Sequence, residues 1–312
     1  MDHDEMRAHL LGWEIALRDK GKSPNTVRAY ASGVRALIAW QQQNGRCGLG
    51  KNDVAGFMAA ILDGWKSPDR VGTRERHGSA SNANLRGRSI RMFSAWCAAE
   101  GRTDADELAG LTPPKPSKPI VPKLSDDQLR DLIDACAADK SLWGRRDEAM
   151  VRLASEAANR ADELLQMDLP GDVDLRRGIA VIRRGKGGKG RIVPFGTHTA
   201  RALDRYLWMR RKAGLPAEGP LWISQRRKRL SYAGLYSTLR KRAEAAGIPD
   251  FHPHRLRHTA ASRWLTRGGS EGGLMAVAGW TSREMLDRYV QDTAAERAAE
   301  EARRLNLGEL WT

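Results

Sequence analysis

The segment TPPKPSKPIVPK, residues 112–123, holds five prolines and three lysines in twelve positions. Proline lacks a backbone donor, fixes φ and pushes the residue before it out of the helical region, so no helix or central strand runs through such a stretch. It predicts an extended linker, dividing the chain into residues 1–112, a linker over 113–123 and residues 124–312. A chain of 312 residues is long enough for two separate cores.

The first part reads as four amphipathic helices. Ser23 caps the second, Pro24 takes its first helical position, and Val27, Tyr30, Val34, Leu37 and Ile38 recur at helical spacing. Asp53 is read as the cap of VAGFMAAIL, and a Gly- and Ser-rich loop from Gly64 to Ser81 leads to a fourth helix with Leu85, Met92, Phe93 and Trp96 near one face. Nothing in this bundle resembles a catalytic constellation.

The second part opens at Ser125, an N-cap before DDQLRDLIDACAA, and continues with a helix over 146–157. Three short strands follow at 172–175, 178–182 and 191–195, the last two joined by RRGKGGKG, whose glycines suit a hairpin tip. Helices resume at 197–213, 231–246, 255–267 and 274–279. The expected fold is mainly α: a small helical bundle, then a larger, mostly helical domain with a three-stranded antiparallel sheet too small to organise a doubly wound fold.

Charge narrows the partner. The formal net charge is +15, and residues 176–242 alone carry 19 Lys or Arg against two acids, Asp204 and Glu218. Self-repulsion opposes folding of such a segment, so a polyanion is the expected partner, although phosphate contacts alone do not separate DNA from RNA. Arg183, Arg184, Lys189, Arg191, Arg226, Arg227, Lys228, Arg229, Arg240, Lys241 and Arg242 are the candidate phosphate contacts. Cys47, Cys97 and Cys136 are too few and too far apart for a disulfide framework or a Cys-based metal site, which fits a reducing cytoplasm. An acidic N-terminus and the lack of any long apolar run argue against a secretory signal and a membrane span.

Chemistry concentrates in HPHRLRHTAA. On a helix, His254, Arg257 and His258 share a face. Arg255 stands where a metalloprotease HExxH motif requires Glu, and Arg257 repels a cation, so the expected guest is an anion and no metal or cofactor is expected. Four further segments accompany this one: NRADELL with Arg160 and Glu163, RGKGGKGR with Lys186, AGW ending at Trp280, and LDRYV with Tyr289 nine positions later.

In order and spacing these segments resemble the tyrosine site-specific recombinases of the phage integrase family, and the resemblance covers nearly the whole chain. It implies a core-binding (SAM-like) N-terminal bundle, a catalytic domain, and cleavage and rejoining of double-stranded DNA through a 3′-phosphotyrosine at Tyr289, without ATP or metal. Arg160 and Arg257 would fork onto the non-bridging phosphate oxygens. Lys186 would protonate the leaving 5′-oxygen, with Lys189 its local rival. His254 would donate to phosphate or move protons, and Trp280 offers an indole N–H. Glu163 and His258 would orient these groups.

The implied partners are DNA with paired recombination sites, three further copies in a tetrameric synaptic complex, and accessory proteins, in a bacterial or phage-encoded, nucleoid-associated setting. Ala294, Ala298, Ala302 and Leu305 form a short apolar stripe on a tail helix expected beyond Tyr289, suited to completing its own domain or docking on a neighbouring copy. A DNA-binding protein without chemistry and a type IB topoisomerase are the competing classes.

Two segments depart from the family pattern. Glu156, Ala157, Ala158 and Asn159 replace a turn that usually contains Gly before the first arginine. GGSEGG puts two adjacent glycines at a helix start, at a cost of roughly 1 kcal/mol each.

Overall fold

The computed structural model describes residues 1–67, 79–116, 122–183 and 190–306. The chain separates into two compact units, Met1–Pro119 and Ile120–Thr312.

The first unit is built from α1 (His3–Asp19), α2 (Pro24–Gln43), α3 (Lys51–Leu62) and α4 (Ala80–Ala99). Asp2 and Glu5 form a reciprocal capping box on α1, and Ser23 accepts from the Thr26 N–H at the start of α2. The core holds Trp13, Val34, Leu37, Phe57, Ile90 and Phe93, with the Trp13 and Phe93 rings edge to face at 5.2 Å. At the α2–α4 crossing, a Cβ on Gly33 would stand 2.0 Å from Ser89 Oγ, so only glycine allows this approach.

Two details differ from expectation here. Gly50, not Asp53, is the N-cap of α3, and Asp53 lies in its first turn, where a carboxylate still complements the helix dipole. Leu85 is 42% exposed, because the buried face of α4 runs through Ala83, Gly87, Ile90, Phe93 and Cys97.

The second unit comprises α5 (Asp126–Ala138), α6 (Leu142–Ala157), the single turn α7 (Ala161–Leu165), β1 (Asp168–Leu169), β2 (Val173–Asp174), β3 (Ile179–Ile182), β4 (Arg191–Pro194), α8 (Thr197–Lys212), β5 (Gly219–Pro220), α9 (Tyr232–Ala245), α10 (His254–Thr266), α11 (Glu271–Ala278) and α12 (Arg283–Leu305). The expected antiparallel sheet is present in the order β2-β3-β4, and Ile182↔Arg191 is the last described pair between β3 and β4. A second, two-stranded pairing of β1 with β5 was not legible, since two residues carry no periodicity. Tyr206 stacks on Trp222 at the centre of the core, and its hydroxyl donates to Leu221 O.

The helix ends near the site answer both departures from the family pattern. Ala158 closes α6 in the left-handed region, at φ 46°, where a Cβ costs about 1–2 kcal/mol. The backbone geometry that usually takes glycine is therefore kept, with the strain carried by alanine. Helix α11 starts three residues earlier than expected, at Glu271, because Ser270 caps it by accepting from the Gly273 N–H. A Cβ on Gly273 would stand 2.9 Å from the Trp264 ring, so this glycine lets the helix start pack on α10; nothing in the structure requires glycine at 272.

Tyr289 lies inside α12, which runs unbroken to Leu305, so among the described residues there is no separate tail helix. Beyond Thr293 the stripe of Ala294, Ala298, Ala302 and Leu305 faces solvent, with Leu305 55% exposed, and does not complete the core of its own unit.

Candidate active site

Side chains from α7, β4, α10, the loop after α11 and α12 converge in the second unit. Arg160 is the N-cap of α7, where its backbone N–H donates to Glu163 Oε2 (2.7 Å) and its Nη1 to Glu163 Oε1 (2.8 Å). Glu163 also receives a bidentate fork from Arg191, at 3.1 Å and 2.6 Å. Burial pushes this carboxyl up, but the Arg191 fork and the Arg160 bonds outweigh it and hold it below the usual carboxylate range. Glu163 is an anion that fixes two arginines.

Arg257 projects from the first turn of α10 and is almost fully buried. Its Nη1 donates to Ala158 O (2.6 Å) and its Nη2 to Ala278 O (3.0 Å), tying the ends of α6 and α11 together. Both are C-terminal helix carbonyls, where a cation also meets the negative end of the dipole. Burial and the nearby Arg160 lower its pKa to about 10. It remains charged at neutral pH.

The aromatic groups form a continuous stack. The Arg257 guanidinium lies 5.4 Å from the Trp280 ring centroid. Trp280 stacks on Tyr289 at 4.9 Å and 22°, and the Tyr289 ring lies 5.1 Å from His258, which in turn meets His254 edge to face at 4.9 Å. Tyr289 is 3% exposed. Its burial raises the phenol to about 12 although Arg257 and Arg288 pull it down. Burial, then His254 and the cations Arg288 and Arg257, depress His258 to about 4. His254 is lowered by burial and then by Arg257. Both imidazoles are therefore neutral near pH 7, able to accept a proton.

His254, Arg257, His258, Trp280 and Tyr289 thus stand together, with Arg160 and Glu163 beside them. Lys186, Arg184 and Lys189 lie outside the described residues. Among the described residues no group of three His, Cys, Asp or Glu side chains is placed to hold a metal ion, and no helix is long and apolar enough to cross a membrane.

The basic candidates divide. Arg226, Arg227 and Lys228 are exposed on the turn closed by the Ile223↔Arg229 bridge, and Lys241 is exposed on α9. Arg240 pairs with Glu244 one turn on. The other four make intramolecular pairs. Arg183 pairs with Asp172, and Arg229 donates to Leu165 O and Asp168. Arg242 bridges Asp139 and Asp147, and Arg191 holds Glu163. Charge counting cannot separate the two groups, because a guanidinium is equally basic whether it meets a phosphate or a carboxylate of its own domain.

Two residues escaped the motif reading. Arg191 shares the inward face of β4 with Val193, while Ile192 between them is 56% exposed, so strand alternation is the signal that marks it. Asn159, beside Arg160, is buried and neither polar side-chain atom has a hydrogen-bond partner. No sequence pattern points to it.

Residues 122–296 match the profile described as the phage integrase family. The chain is 30% identical to the tyrosine recombinase XerC of Corynebacterium efficiens over 271 residues, covering 86% of this chain and 81% of that protein. It is 31% identical to the tyrosine recombinase XerD of Mycobacterium tuberculosis strain H37Rv, covering 81% and 82%. Its fold is that of a lambda integrase fragment crystallised as a dimer on a COC′ core site, with TM-score 0.69, 18% identity and coverage of 93% and 95%. The chain belongs to the phage integrase family of tyrosine recombinases.

Proposed function

We propose that this chain cuts and rejoins double-stranded DNA at specific paired sites, with Tyr289 as the nucleophile. The observation that supports the reading is the stack in which Tyr289 lies against Trp280 and His258 while Arg257 lies over Trp280. Residues 32 positions apart in sequence, Arg257 and Tyr289, meet across the Trp280 ring.

In this mechanism the Tyr289 oxygen attacks phosphorus, the P–O5′ bond breaks and a 3′-phosphotyrosine forms. A neutral imidazole, His254, takes the phenolic proton. Arg160, Arg257 and the Trp280 N–H hold the non-bridging oxygens as charge grows there, and Lys186 protonates the leaving 5′-oxygen. The free 5′-hydroxyl of a partner strand then reverses the step. One phosphoester replaces another at each stage, so neither ATP nor metal is required. Four copies act together on paired sites, and the exposed stripe of α12 is the surface each copy presents to a neighbour.

A nicked suicide substrate tests this. Wild-type protein yields a denaturation-resistant DNA adduct that Tyr289→Phe abolishes; retardation of a verified cognate site with no adduct identifies a DNA-binding protein without chemistry. Relaxation of plasmids lacking any particular site would instead indicate a topoisomerase.

A further inference from the structure

We propose that Arg191 is a positioning residue that keeps Arg160 available to the scissile phosphate. The inference rests on the reading of Arg160 as a phosphate ligand.

Glu163 offers two carboxylate oxygens, and Arg160 and Arg191 share both. Arg191 takes the fork, one nitrogen to each oxygen, while Arg160 donates through Nη1 alone. No other hydrogen bond from the Arg160 guanidinium is present among the described residues, so its remaining donors stay open for an anion. An arginine beside a carboxylate prefers the two-bond fork. Arg160 is denied that geometry because Arg191 already occupies it.

Arg191 is itself held firmly. Its Nε donates to Val277 O (2.7 Å), next to the Ala278 carbonyl taken by Arg257, so two arginines cap the end of α11 just before Trp280. Gly279, at φ 64°, makes room: a Cβ there would stand 2.9 Å from the Arg191 Nη1. On β4, Arg191 pairs with Ile182 of β3. One side chain therefore connects the β3–β4 pair, the carboxylate behind Arg160 and the loop that presents Trp280. Without it, Arg160 turns onto Glu163 with both nitrogens and withdraws from the phosphate.

The test compares Arg191→Met, Arg191→Lys and the double variant Arg191→Met/Glu163→Gln. In single-turnover cleavage of the suicide substrate, Arg191→Met is expected to lose about 100-fold in rate while DNA affinity changes less than about threefold. Arg191→Lys, which cannot fork, falls between, and carries the comparison if Arg191→Met does not fold. The double variant recovers at least about tenfold over Arg191→Met, since a neutral amide no longer draws Arg160. A rate for the single variants within about threefold of wild type, or no recovery in the double variant, overturns the proposal. A crystal structure of Arg191→Lys without DNA reads the same point independently of activity: Arg160 forked on Glu163 supports it, and Arg160 unmoved overturns it. An inactive wild type would count against the recombinase reading alone.

Discussion

Trp280 and Tyr289 stack nearly parallel, ring centroids 4.9 Å apart and planes 22° apart, with the tyrosine almost wholly buried. They come from the loop after α11 and from α12, so the stack joins two elements and orients the phenol at once. Trp280→Ala should therefore destabilise the second unit by about 3–5 kcal/mol, and Trp280→Phe by much less, because a ring still fills the space. Thermal melts of the two variants check this: equal losses would mean that the ring contributes little to holding α12.

His258 gives stability a pH dependence. Its folded pKa, about 4, lies below the ordinary 6.5, so the unfolded chain takes up a proton first as pH falls. Stability is complete above the unfolded value and declines between about pH 6.5 and 4, by roughly 3 kcal/mol at most. His254, lowered too, acts in the same direction. Melting temperatures from pH 7 to 4 should drop more steeply for wild type than for His258→Asn; parallel curves would refute this.

Glu163 is the common acceptor of two arginines, and removing its charge leaves the half-buried Arg191 without a counter-ion. Glu163→Gln is expected to cost about 3 kcal/mol. Adding Arg191→Met should cost less than the sum of the two single changes, a coupling that chemical denaturation of all four proteins in the cycle measures. Simple additivity would show that the pair seen at 2.6 Å carries no weight.

Two left-handed positions near the site should respond unequally. Gly279→Ala adds a Cβ both at φ 64° and 2.9 Å from the Arg191 guanidinium, and is expected to destabilise by about 1–2 kcal/mol or more. Ala158→Gly relieves strain at φ 46° while losing a buried methyl, two terms of about 1 kcal/mol that offset. A large loss from Ala158→Gly, measured by the melting temperature of the second unit, would show that the strain is not real.

The turn bearing Arg226, Arg227 and Lys228 is an exposed part of the basic segment. If each side chain meets a phosphate, each substitution by Gln lowers the slope of log affinity against log salt by roughly 1, without changing sequence preference. Unchanged slopes would place the DNA elsewhere. Arg242→Gln serves as the contrast: its salt bridges to Asp139 and Asp147 predict a loss of stability instead.

The local sequence was sufficient wherever chemistry or backbone geometry is written in neighbouring residues. Ser23 with Pro24 announces α2, Ser125 announces α5, and the spacing of His254, Arg257 and His258 announces a shared helical face. Motif order sufficed to identify the family, and alternation along β4 held the clue to Arg191. Only the tertiary structure decided which arginines stay free. Arg191, Arg229 and Arg242 are as basic as their exposed neighbours, but each has a carboxylate brought to it by a distant element. The same is true of Tyr289: burial against Trp280 and His258, contributed by other elements, sets its orientation and raises its pKa. Residue type fixes what a side chain can do, while desolvation and the partners supplied by folding determine what it does.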